Sequence, residues 1–469
     1  MRRPPTDPSL PLNRLPLPIS FLAPMALVVL LLGGCANLAP PYERPAPAVP
    51  VAGAPMPATD PAALARADFF TDRRLDAVVD LALANNRDLR VTALNVGRAR
   101  AQVRLADAAA LPNVGATASA SRSNAGSQVS VGLALSAFEL DLFGRVRNES
   151  EAATQNYLAN VAGRTSTLIS LVAETANAWL TLAADLERQR ITQESFETRQ
   201  QSFALDQRRH GLGAITGLAL AQSQSLVDSA RLELAVVATQ IEQDRNALTL
   251  LLGVALPDDL APRSDENLAE PSRLIDLPAG VPSELLQRRP DVVQAEHTLQ
   301  ASVANIGVAR AAFFPRISLT GSAGSASTAL SGLFKAGTGS WSFGPTVSLP
   351  LFDGGANAAN LETARLDREV ALAQYDRTVQ VAFREVADAL AVRARITERL
   401  AAQQALVDTA ARQLRLADAQ HRAGSTGMLE VLDAQRSLYA AQQALISLRL
   451  AEQANRLELY KVLGGGWKT

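Results

Sequence analysis

The chain has 469 residues, is nearly neutral, with 45 Lys and Arg against 46 Asp and Glu, and is 48% hydrophobic but only 4% aromatic. Such a balance offers no basic face to a nucleic acid, and a single cysteine excludes an intramolecular disulfide framework. Apolar content carried largely by alanine favours long helices packed through small side chains over a thick globular core.

Arg2, Arg3 and Arg14 precede or flank an apolar run, Ile19 to Leu32, that is too short to span a bilayer comfortably. Basic, apolar and small residues in that order predict a secretory signal over residues 1–34. Leu32-Gly33-Gly34-Cys35 resembles a bacterial lipobox, which implies cleavage before Cys35 and a covalent lipid on its thiol. Cleavage removes three arginines and Asp7 and leaves a mature chain near −3. Residues 35–66 are rich in Pro and Ala and predict an extended tether. No later apolar run approaches ~20 residues, so a membrane crossing beyond the signal requires a closed β-barrel.

The remainder repeats itself. "NNRDLRV" at 85–91 matches "RRPDVVQ" at 288–294, with Asp88 opposite Asp291, and the same offset of 203 carries Pro112 onto Pro315. "LFGR" at 142–145 aligns with "LFDG" at 351–354, and His210 aligns with His421 at an offset of 211. These landmarks define repeat 1 over 67–253, a linker over 254–281, repeat 2 over 282–463 and a tail over 464–469. Each repeat reads as a helix, two strands, a very long helix, a tight turn and a helix.

Val129, Val131, Leu133 and Leu135 alternate with Ser130, Gly132, Ala134 and Ser136. Trp341, Phe343, Val347 and Leu349 alternate in the same way with Ser342, Gly344, Thr346 and Ser348. An apolar row backed by a small polar row suits a wall between lipid and water, with Trp341 and Phe343 placed for an aromatic girdle. Two strands per repeat give four per chain, too few for a membrane barrel, whereas three chains supply twelve. Proline is absent from Gly144 to Arg209 and from Gly354 to Arg422, and ~65 helical residues make a rod of about 100 Å. Leu158, Val161, Thr165, Leu168 and Val172 step by three and four as in a coiled coil, as do Leu372, Tyr375, Val379, Phe383, Val386 and Leu390.

Seven stretches stand in family order: LGGCANLAPPYERP, FELDLFGRVR, LLQRRPDVVQAE, AAFFPRISL, PLFDGG, AGSTGMLEVLDAQRSL and LYKVLGGGW. On these the chain resembles the outer-membrane factors of TolC type, in the lipoprotein branch that serves multidrug efflux. The resemblance implies a mixed α and β fold with a tandem structural repeat. It further implies a homotrimer whose twelve-stranded transmembrane β-barrel is continuous with a long periplasmic α-helical barrel. Its place is then the outer membrane of a Gram-negative bacterium, anchored by outer-membrane lipid, where it is a passive exit duct for small molecules. A periplasmic adaptor and an inner-membrane pump of RND type are the implied partners. The alternative reading is an exit duct for type I protein secretion or metal export. A non-conducting coiled-coil scaffold would have no use for a polar row facing a lumen.

On the same resemblance, the turns that end the long helices form the periplasmic tip. Gly213, Ala214, Ile215 and Thr216, with Ala423, Gly424 and Ser425, are the implied adaptor contacts, and the same residues equally serve the turns themselves. Glu430 and Asp433, three apart on one helix face, occupy the places of the family's gate aspartates; their counterparts in repeat 1 are Ala219 and Gln222. In a trimer they set six carboxylates around the tunnel mouth, a ring that attracts cations. The alternative is a solvated face with Asp433 paired to Arg436. Thr426 and Gln420 stand where some relatives carry gate-locking arginines. His210, His297 and His421 complete no metal-ligand pattern, and the terminal GGGWKT lacks the helix that a phosphate loop requires. No nucleophile–base arrangement points to an enzyme. The expectation is therefore a protein without metal or cofactor apart from the lipid on Cys35.

Overall fold

A computed structural model describes residues 36–45, 69–124, 126–264, 274 and 288–464. Cys35, the signal, most of the tether, much of the linker and the end of the tail lie outside the described residues.

Repeat 1 opens with two helices where one was expected, α1 (Arg73–Asn85) and α2 (Arg87–Ala108). Asn86 makes the break. It leaves helical geometry, donates through Nδ2 to the Leu251 carbonyl at 2.8 Å and accepts the Leu89 N–H at 2.9 Å. Strands β1 (Asn113–Ser123) and β2 (Gly126–Leu140) follow, then helices α3 (Arg145–Gly211) and α4 (Gly217–Leu252). Repeat 2 supplies α5 (Pro290–Ala311), β3 (Arg316–Ser327), β4 (Gly339–Ser348), α6 (Ala356–Arg422) and α7 (Met428–Val462). Helices α3 and α6 each run for 67 residues, about 100 Å of unbroken rise. The chain forms two compact units that cut through both repeats instead of separating them.

The first unit holds residues 106–150 and 304–364, with residues 36–41 of the N-terminal segment. Its four strands form one antiparallel sheet in chain order, β1-β2-β3-β4. Register sets Val114, Leu135, Gly321 and Phe343 in one row, and Ala116, Leu133, Ala323 and Trp341 in the next on the same face. On the other face hydroxyls pair across strands, Ser119 with Ser130 at 2.8 Å and Ser322 with Ser342 at 2.7 Å. Strands β2 and β3 approach so closely there that a Cβ on Gly132 would stand 2.7 Å from the Ala323 carbonyl oxygen. A bulge between Leu135 and Phe138 puts Ala137 at φ +35° and adds local twist. Where β2 ends, Glu139 accepts from Arg145 at 2.6 and 2.8 Å and also pairs with Arg316. Asp141 accepts the Arg147 N–H at 2.8 Å and so caps α3. The Ala36 N–H meets the Leu142 carbonyl at 3.1 Å, and Asn148 donates to the Asn37 side chain at 2.9 Å. Strand β1 is exposed throughout and β4 nearly so. Neither outer edge has a strand partner among the described residues.

The second unit is helical. Its core stacks Phe69 on Tyr460, ring centres 4.2 Å apart, and buries Trp179, Leu180, Leu248 and Leu252 completely. The expected coiled-coil stripes need correction on α3. Val161 is exposed and Leu158 and Leu168 are half-buried, while Ala152, Ala159, Ala162 and Ile169 are buried. Small residues there let helices approach closely, while the last member of the expected stripe, Val172, is buried as expected and Leu168 packs against the core. On α6 the stripe holds, because Tyr375, Val379 and Val386 are buried with Ala371, Ala382 and Ala389.

The twin motifs of the two repeats perform one task. Arg289, at the position of Asn86, donates to the Val462 carbonyl at 3.3 Å, as Asn86 does to Leu251, so each closes the last turn of its own repeat. Arg289 is 8% exposed and bridges Asp291 and Glu385 at 2.7 and 2.8 Å. Near the N-terminus, Tyr42 and Arg44 tie the chain to Glu296 of α5, at 3.1 and 2.9 Å. Burial and the adjacent Glu296 carboxylate push the Tyr42 phenol up to about 12.

Candidate functional site

The two tip turns are built alike. After α3, Gly213 adopts φ +72° and Ala214 N–H donates to the Arg209 carbonyl at 2.8 Å; after α6, Gly424 adopts φ +75° and Ser425 N–H donates to Gln420 at 3.0 Å. Glycine takes this left-handed geometry without the penalty a Cβ brings. His210 Nδ1 lies 3.1 Å from the Ile215 carbonyl and His421 Nδ1 lies 3.2 Å from that of Thr426. A carbonyl only accepts, so each histidine carries a proton on Nδ1 and ties its own turn. Arg209 then donates to Nε2 of His421 at 2.9 Å. Among the described residues no group of His, Cys, Asp or Glu is placed to hold a metal ion. Thr216 caps α4 by accepting the Ala219 N–H at 3.2 Å. Gly213, Ala214, Thr216, Ala423, Gly424 and Ser425 are exposed and Ile215 is half-buried.

Glu430 and Asp433 stand in the first turns of α7 and are both exposed, while Val431, Leu432 and Ala434 turn inward and are buried. Arg436 is drawn against Asp433, the pairing raised above as the alternative. The face is therefore one carboxylate beside an ion pair, not two free carboxylates. Both members of the pair are more than half exposed, so it contributes at most ~1 kcal/mol and exchanges readily. In the sheet, Trp341 and Phe343 are 82% and 63% exposed on the apolar face of β4.

The chain matches the family model described as outer membrane efflux protein over residues 78–254 and 281–465. The chain belongs to the outer membrane efflux protein family. It is 42% identical over 468 residues to the antibiotic efflux pump outer membrane protein ArpC of Pseudomonas putida, covering 95% of this chain and 96% of that one. It is 40% identical over 456 residues to the cation efflux system protein CusC of Escherichia coli O6:H1, covering 94% and 98%. The open-state MtrE outer membrane channel of Neisseria gonorrhoeae superposes with a TM-score of 0.83 at 38% identity, over 92% of this chain and 99% of that one. This protein is thus an outer-membrane efflux channel of TolC-like fold.

Two buried charges of this efflux channel escaped the sequence reading. Arg199 on α3 is 5% exposed, donates to the Leu226 carbonyl at 3.3 Å and lies 5.6 Å over the Tyr439 ring. Burial pulls its pKa down. Asp206, two turns further along α3, is 2% exposed. The signal that would have found them is the one that isolated Glu430 and Asp433, a charge in one repeat only. At the offset of 211, Arg199 and Asp206 answer to Ala410 and Ala417.

Proposed function

We propose that this channel is the passive exit duct of a tripartite efflux system. Three copies close their four-stranded sheets into one twelve-stranded barrel, and their helical units line a periplasmic tunnel. A periplasmic adaptor docks at the tip turns and couples the duct to an inner-membrane pump of RND type. The duct performs no catalysis, and its one covalent group is a lipid on Cys35. The observation that carries this reading is the pair of open edges. Strands β1 and β4 lie at opposite sides of one sheet, both exposed, and an open edge at membrane depth leaves backbone groups that lipid cannot satisfy. Pairing β1 of one copy with β4 of the next removes every edge. Exposed Glu430 and Asp433 then sit at the tunnel mouth, and Trp341 and Phe343 form the girdle.

Cross-linking of the purified channel in detergent tests the closure. Products should stop at the trimer, and a stable monomer with an intact β signal would count against a shared barrel. Labelled palmitate should enter the wild-type chain and not Cys35→Ser; equal labelling of both would remove the lipid anchor from the reading.

A further inference from the structure

Among the last turns of α3 and α6 and the first turns of α7 lies a cavity of about 440 Å³. Leu205, Leu414, Met428 and Val431 give it an apolar lining, and Asp206 and Gln435 give it a polar one. Asp206 is 2% exposed and its Oδ2 has no hydrogen-bond partner among the described residues; Oε1 of Gln435 is likewise buried without a donor. Both atoms are acceptors, and a buried carboxylate without a donor is costly. The arginines around the cavity do not supply one. Arg422 is held by Asp418 at 2.6 Å, Arg209 donates to His421, and Arg415 is exposed. Asp418 and His421 also line the cavity but are engaged by Arg422 and Arg209, and no group of His, Cys, Asp or Glu among the described residues is placed to hold a metal ion.

We infer that this cavity is a binding site for an alkylammonium or alkylguanidinium group. The cationic head donates to Asp206 and Gln435, and its aliphatic stem lies along Leu205, Leu414 and Val431. Such a group reaches the tip either as a lysine or arginine side chain of a docking adaptor helix or as a free polyamine. Only the source of the cation, not the site, rests on the adaptor reading proposed above.

A thiol reporter tests the site in the full-length purified channel. Ser202 also lines the cavity, and Ser202→Cys can be titrated with methanethiosulfonates of opposite charge, using the parent channel as background. The aminoethyl reagent should react at least about tenfold faster than the sulfonatoethyl reagent, and agmatine should protect the thiol. Adding Asp206→Asn should abolish both effects while the trimer persists in detergent. Protection by a purified adaptor at concentrations where agmatine gives none assigns the cation to a side chain; protection by agmatine or spermidine alone assigns it to a free amine. Equal reagent rates would overturn the site. So would a charge preference that emerges only in Arg415→Gln, because the chain's own arginine would then be the occupant. Failure of every adaptor to bind the channel would overturn the docking reading and leave the agmatine result standing.

Discussion

Asp185 is a carboxylate whose charge the fold resists. It is 3% exposed on α3, and burial first, then the adjacent Asp244, push its pKa up to about 6, with Arg188 offsetting only part of the shift. The folded state therefore holds a proton that the unfolded state releases near pH 4. Stability present below about pH 4 is lost as the pH rises towards about 6. Asp185→Asn should raise the melting temperature at neutral pH and leave it unchanged at about pH 4, followed by circular dichroism. Glu296 runs the opposite way. Burial alone would raise its pKa, but the hydrogen bonds from Arg44 and Tyr42 prevail and hold it below the ordinary value. That contribution is full at neutral pH and lost on acidification through the lowered pKa, so Glu296→Gln should lower the neutral melting temperature and converge with wild type in acid. At the proposed tunnel mouth, Glu430→Ala with Asp433→Ala should reduce cation selectivity, and Arg436→Ala should increase it, because the arginine offsets Asp433. Changes at Ala219 or Gln222 should matter far less. The reversal potential of purified channels under a salt gradient reads all three, and an unmoved value in the double variant would remove this face from the pore.

Element by element, the chain declared what depends on neighbours in sequence and hid what depends on distant ones. The proline-free run from Gly144 marks α3, which spans Arg145–Gly211, and alternation marks β2 and β4. Strand β1, NVGATASASRS, offers little contrast between its faces. The break at Asn86 combines a local signal, an Asn that accepts the Leu89 N–H as a helix cap, with a partner carbonyl 165 residues away that no local pattern announces. The unequal placement of Glu430 and Asp433 was legible because one repeat lacks them; the tip cavity was not, since three helices have to pack before it exists. Asn86 and Arg289 make a graded test of the shared motif. Asn86→Ala frees a carbonyl and should cost about 1–3 kcal/mol. Arg289→Met leaves Asp291 and Glu385 without their buried partner and should cost about 3–5 kcal/mol. Denaturant titration of the two variants should preserve that order.

For the whole molecule, a single copy leaves too much undone. Leu218, Leu232, Val236 and Leu250 of α4 are 70%, 66%, 60% and 79% exposed, a row of large apolar side chains with nothing over them in one chain. Leu232→Glu with Val236→Glu should weaken the proposed trimer, read as a monomer band on cross-linking, without altering helix content. The sheet carries a different consequence. Among its described strands the hydroxyl-bearing face has two charged side chains, Glu139 and Arg316, and these pair with each other. In the proposed barrel this face lines the lumen, where a solute sliding past the remaining serines, threonines and glycines would trade one water-like hydrogen bond for another. Neither sign of charge is held and neither is turned away, so transit through this section is close to free diffusion. Indifference of that kind would make the wall of the proposed barrel a good disposal route: a solute that has entered it has no reason to linger before it leaves.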